Sequence, residues 1–179
     1  MADDWRDHWD RLLALQERIE QHATGRRGSR IDASADFASF VVESENLRDG
    51  VKRTLSGSAK AVNSAMRSAT SLQLAHDLAI KVKHEVQCEE PWSTAKDAGY
   101  DVKLSKGVPD SPSPFERRVR SATLPGTPPS PAPEPTRWAH QWEIRYTPSG
   151  SPTLTVDGVQ FSRDVAANWR TILAAHGLV

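Results

Sequence analysis

Apolar residues recur at helical spacing through the first half of the chain. Between residues 3 and 23, Trp5, Trp9, Leu12, Leu15 and Ile19 fall three or four apart, with charged residues filling the other face. That spacing predicts an amphipathic helix, stopped at Thr24-Gly25, where glycine suits the position just past a last turn. A second helix is predicted from Ser34 to Leu55, with the stripe Phe37, Phe40, Val41, Leu47, Val51 and Leu55 and a cap from Asp32 or Ser34. Gly50 lies inside it and points to close packing or a bend. After Ser56-Gly57-Ser58, a shorter helix over Ala59–Met66 leads into the stretch that organises the rest, Ser71 to Cys88. Turned at about 100° per residue, this stretch gathers Leu72, Leu74, Ala75, Leu78, Ala79, Val82 and Val86 on one side. Asp77, Lys81 and His84 gather on another, and His76 and Lys83 lie on the far flank. Thr70 or Ser71 is placed to cap it, and Pro91 closes it.

Beyond Pro91 the period shortens. Tyr100 to Lys106 alternates like a half-buried strand, as does Gln141 to Tyr146, followed by Thr153 to Val156. Asp157-Gly158 is a hairpin-turn pair leading to a strand at Val159–Phe161. Ser162 is then placed to cap a last helix with the stripe Val165, Trp169, Ile172, Leu173 and His176. Between the strands, residues 109–135 hold nine of the 12 prolines, a composition that builds neither helix nor paired strand. Its PxxP spacings suit an SH3-type partner or a spacer. The expected organisation is a helical bundle over residues 1–98, a strand at 99–108, a proline-rich flexible linker at 109–136 and a β-hairpin with a C-terminal helix at 137–179. The fold class is mainly α, because no single stripe can be buried alone.

Composition narrows the function classes. Formal net charge is zero, so no bulk pull toward nucleic acid or membrane follows. The single cysteine, Cys88, excludes an internal disulfide framework and a cysteine-rich zinc site. No run is long and apolar enough to cross a membrane, and the acidic start MADDWRDHWD is unlike a signal peptide. A cytoplasmic protein without cofactor or metal is expected.

Two groups carry candidate chemistry. On the central helix, Asp77 is placed to orient His84 as a proton acceptor, with Lys83 next to it in sequence as a cation for phosphate; a plain polar helix edge is the alternative. His76 and His84 lie on different flanks and cannot share a metal. Arg26, Arg27 and Arg30, in the loop after the first helix, are placed to hold a phosphate or a nucleic-acid backbone, or are a solvated loop. A second basic run spans Arg117–Arg120.

With these motifs in view, the chain resembles uncharacterised bacterial proteins with a HEPN-like helical core. The segments that carry the resemblance are Leu47-Arg48-Asp49-Gly50 and Asp77-Leu78-Ala79-Ile80-Lys81-Val82-Lys83-His84, with Asp157-Gly158 and Trp169 in the tail. Gly50 and Ile80 stand where that pattern has tryptophan and asparagine. The wider superfamily includes metal-independent ribonucleases of toxin–antitoxin and defence systems that use an arginine and a histidine with four to six residues between them. The one such spacing here, Arg170 to His176, lies outside the helical core. Three readings follow: a non-enzymatic module acting through a protein partner or a second copy, by way of its tryptophan-rich stripes; a ribonuclease using His84; and a non-catalytic nucleic-acid binder using the arginine groups.

Overall fold

A computed structural model describes residues 4–26, 29–55, 57–84, 95–106, 138–148 and 153–179, with the backbone alone at His84, 95–106, 138–139 and 147–148. The helices are α1 (Trp5–Ala23), α2 (Arg30–Thr54), α3 (Ala59–Ser68), α4 (Thr70–His84) and α5 (Gly158–Ala175). The strands are β1 (Ala95–Lys106), β2 (Trp138–Pro148) and β3 (Leu154–Asp157). The protein is therefore mainly helical, with a small antiparallel sheet and a C-terminal helix. Arg27, Cys88, Pro91, the Arg117–Arg120 run and the proline-rich stretch 109–135 lie outside the described residues.

The stripes read from the sequence form one core. Trp5, Leu12 and Ile19 of α1, Phe37, Phe40, Leu47 and Val51 of α2, and Leu72, Leu78 and Ala79 of α4 join Val62 and Met66 of α3 and Val165, Trp169 and Leu173 of α5. The C-terminal helix thus completes the bundle instead of standing beside it. The tryptophans expected at an interface face inward: Trp5, Trp9, Trp142 and Trp169 are all buried. An amphipathic stripe has the same pattern whether it covers a neighbour in the same chain or in another, and here the neighbour is internal.

Helix ends differ from the sequence reading where side chains choose among several caps. α1 stops as expected: Gly25 has φ 68°, and its N–H and that of Arg26 donate to the His22 and Gln21 carbonyls, a motif that needs the left-handed region glycine enters freely. α2 begins four residues before Ser34. Ser29 is its cap, its hydroxyl accepting from the Asp32 N–H at 3.3 Å while the Asp32 carboxylate accepts from the Ser29 N–H at 2.9 Å. Ile31, 80 % exposed, interrupts the apolar stripe there and hides the helix start. α4 follows α3 after Ala69 alone, whose carbonyl accepts from the Leu72 and Gln73 N–H groups. Ser71 is not the cap: its hydroxyl accepts from Asn168 of α5 at 3.0 Å.

The sheet has the order β1-β2-β3, all antiparallel. β1 begins at Ala95, five residues before the expected strand, and pairs Tyr100 with Ile144 and Leu104 with His140. On β2, His140, Trp142 and Ile144 are buried against the helices, while Gln141 and Arg145 are exposed, the alternation that a sheet covered on one face requires.

Asp157-Gly158 is not a hairpin turn, and Val159–Phe161 is not a strand. β3 runs directly into α5, the Asp157 carboxylate accepting from the Gln160 N–H at 2.9 Å as the helix cap. Ser162 lies inside the helix, donating to the Val159 carbonyl at 2.8 Å. An Asp-Gly pair serves a tight turn or a helix start equally well, and here its glycine lies against Trp142. A Cβ at residue 158 would lie 2.3 Å from the Trp142 Cβ and 3.0 Å from its Cγ. Gly158→Ala is therefore expected to cost at least the roughly 1–3 kcal/mol of ordinary overpacking. Gly57→Ala, where nothing lies within 4 Å, is expected to be neutral or slightly stabilising. Urea midpoints of the two variants check this, and equal midpoints would contradict the close approach.

Candidate functional site

The polar groups that the helices enclose converge on α2. Asp36 and Glu43 are seven residues apart and so share one face of α2, directed at α1. Arg11 and Arg18 of α1 are also seven apart and meet them in the opposite order, as antiparallel helices demand. The Arg11 Nε donates to Glu43 Oε1 at 3.0 Å, and an Arg18 amino group donates to Asp36 Oδ1 at 3.4 Å. A histidine completes each pair from the same helix. His8, three residues before Arg11, places its Nδ1 2.6 Å from Glu43 Oε1. His22, four after Arg18, places its Nε2 2.9 Å from Asp36 Oδ2. The i,i+3 and i,i+4 spacings let one carboxylate lie between an imidazole and a guanidinium.

A third such group faces α4. His76 Nδ1 lies 2.9 Å from Glu45 Oε2, and Arg48, one turn after Glu45, binds that carboxylate's other oxygen and also Asp49 at 3.1 Å. Its guanidinium approaches the same ring nitrogen at 3.3 Å. At His8, as at His76, a guanidinium and a carboxylate meet the same ring nitrogen, the Arg11 group lying 3.1 Å from His8 Nδ1. Lys83, two turns after His76 on α4, donates to Asn46 at 3.2 Å, and Asn46 donates to Glu43 at 3.3 Å. The polar edge of α2 is thereby continuous from α1 to α4.

An imidazole held by a carboxylate is also how a catalytic base is oriented, but here access decides its use. His8, His22, Glu45 and His76 are buried, so their rings meet other helices and not a solvent-borne substrate. Each group ties two helices together. Removing one partner leaves a buried charge uncompensated.

The residues singled out from the sequence are not assembled in this way. Asp77 is 2 % exposed, inside the protein and not on a solvated helix edge, because α4 is enclosed on every side from Leu74 to Ile80. Lys83 is exposed and directed to Asn46 of α2. Six residues along a helix turn two side chains about 120° apart, so Asp77 and Lys83 do not converge. The side chain of His84 lies outside the described residues. Arg26 and Arg30 are exposed on either side of the α1–α2 connection. His76, read as a flank residue, meets the charged pair Glu45 and Arg48. The signal for it was Glu45 and Arg48 at i,i+3, but only the packing of α2 on α4 brings His76 to them.

One buried histidine stands outside these pairs. His140 of β2 is 2 % exposed, and among the described residues no side chain hydrogen-bonds either of its ring nitrogens. Burial holds its pKa below the ordinary 6.5, the neighbouring His22 imidazole adding to the effect, while the His22 main chain and Asp32 push the other way without cancelling it. Its place beside Trp142 and Ile144 was legible from the period of β2, in which alternate residues share a face.

Among the described residues, no group of three or more His, Cys, Asp or Glu side chains is placed to hold a metal ion, and no helix is long and apolar enough to cross a membrane. Compared with family models, with curated proteins and with solved structures, the chain matches none.

Proposed function

We propose that this chain is a non-enzymatic helical module that acts by engaging a protein partner or a second copy of itself. One observation carries the reading. Three of its histidines and three of its arginines are spent on holding α1 and α4 to α2 through Asp36, Glu43 and Glu45. Side chains used in this way build a rigid scaffold. The sheet supplies a surface for a partner: with the order β1-β2-β3, the outer edges of β1 and β3 pair with no strand among the described residues, and such edges accept an added strand. Leu154, on the β3 edge, is one of few large apolar side chains exposed among the described residues. The HEPN-like resemblance adds a regulatory role in a toxin–antitoxin or defence setting to this proposal.

The competing reading is a metal-independent ribonuclease with His84 as base and Lys83 as the cation facing phosphate. Its support is the exposed position of Lys83 near the end of α4, next to His84. Incubating the purified protein with total RNA in chelator, beside a His84→Ala variant of confirmed fold, separates the two. Intact RNA with both proteins is the expected result. Cleavage by the parent that disappears in His84→Ala would replace the scaffold reading with the nuclease one.

A further inference from the structure

The three α2 groups show what the protein does with a buried histidine: it supplies a carboxylate. His140 breaks that rule. Its ring centroid lies 5.4 Å from that of His22, edge to face at 85°, and 6.5 Å from that of Trp142. The Trp142 indole N–H, on the same face of β2, is likewise buried without a hydrogen bond. A buried polar ring without a side-chain partner among the described residues costs folding free energy, and a phenylalanine there would not carry that cost. Unlike such a ring, the histidine can take up a proton near neutral pH.

The groups facing His140 are unequal to holding its cation. From α1 comes His22, an imidazole that adds no negative charge. From α2 come two carboxylates already in use: Asp36 is held by His22 and Arg18, and Asp32 closes the capping box with Ser29. From β1 the paired residue is Leu104, which carries no charge. Next to Trp142 on the core side lie Phe37 of α2, whose ring stacks on it, and Gly158 of α5, both uncharged. The nearest charged contact between α5 and α1 is the surface pair Arg163–Glu20 at 2.8 Å, which ties those helices together on the exposed side.

We propose that His140 is an acid-sensitive latch, which as a neutral ring seals the start of β2 against the α1–α2 seam and on protonation loosens it. Protonation places a cation inside an apolar and aromatic wall, next to a second imidazole. The contact that yields is the one between β2 and the end of α1, because Trp169, bound to Ser44 at 2.8 Å, and the Arg163–Glu20 pair keep α5 docked. The sign follows from the depressed pKa. Below the ordinary value of 6.5 the opened form takes up a proton that the closed form resists, so closure weakens as the pH falls through that value toward the lower one of the closed state, and is unaffected above it. This inference concerns regulation of the fold and stands whichever function is correct.

Hydrogen exchange of the full chain at about pH 8 and about pH 5.5, corrected for intrinsic rates, tests the latch. In the parent, amides of Gln141 to Tyr146 and of the last turn of α1 are expected to lose protection several-fold at the lower pH, while those of α4 do not. In His140→Phe the two pH values are expected to give the same protection. An equal acid response in His140→Phe, or none in the parent, overturns the proposal. If His140→Phe does not fold, the imidazole of His140 is titrated by NMR in the parent chain, and a midpoint at or above 6.5 overturns it equally.

Discussion

Glu45→Ala is expected to destabilise the protein by about 3–5 kcal/mol, the usual cost of removing one partner of a buried ion pair. Glu45 lies 2.9 Å from the His76 ring nitrogen, and it holds Arg48 as well. Its loss leaves a buried imidazole and much of a guanidinium without that carboxylate. Arg48 keeps Asp49, but that contact lies toward solvent and does nothing for His76. Glu45→Gln is expected to lose less, since an amide oxygen still accepts from the ring. Chemical denaturation of both variants beside Glu17→Ala, an exposed α1 residue expected to change stability by no more than about 0.5 kcal/mol, provides the check. A Glu45→Ala loss as small as that of Glu17→Ala would mean that the group is ornamental to the fold.

Leu78→Ala is expected to cost about 2–5 kcal/mol. Leu78 is buried at the middle of the seven consecutive buried residues Leu74 to Ile80 of α4, a helix that packs on α2, α3, α5 and β1 together. With neighbours on all sides, the cavity left by the missing side chain has little freedom to collapse, which places the cost in the upper part of that range. Lys81→Ala, three residues further on and half-exposed, is expected to cost no more than about 1 kcal/mol. Equal shifts of the denaturation midpoint in the two variants would overturn the assignment of faces on α4. A loss confined to Lys81→Ala would do so more sharply.

The candidate site was less legible than the helices that hold it. A carboxylate such as Glu45 on a mostly apolar helix looks like any surface charge until its neighbour is known. His76 and Asp77 are adjacent in sequence and both buried, although the helical period set His76 on a flank and Asp77 on a polar edge. The period assumes one solvated side, and α4 has none between Leu74 and Ile80. Trp5, Trp9 and Trp169, on stripes that suit a core or an interface alike, lie in the core.

What the sequence determined by itself is local. The 3.6-residue period of Trp5 to Ile19, of Phe37 to Val51 and of Leu72 to Ala79 is enough to specify three helices and the side of α1 and α2 that is buried. Gly25 is enough to stop α1, and the alternation of β2 is enough to set which residues face inward. These outcomes depend on dihedral preference and apolar spacing within a few residues. The tertiary structure decided everything that needs two distant segments at once. It made Asp157 a helix cap and set residue 158 against Trp142, where a side chain has no space. It paired His8 with Glu43, His22 with Asp36 and His76 with Glu45, and among the described residues it bonded no carboxylate to His140. A charge has no periodicity that names its partner, so which carboxylate meets which histidine is known only once the helices are packed.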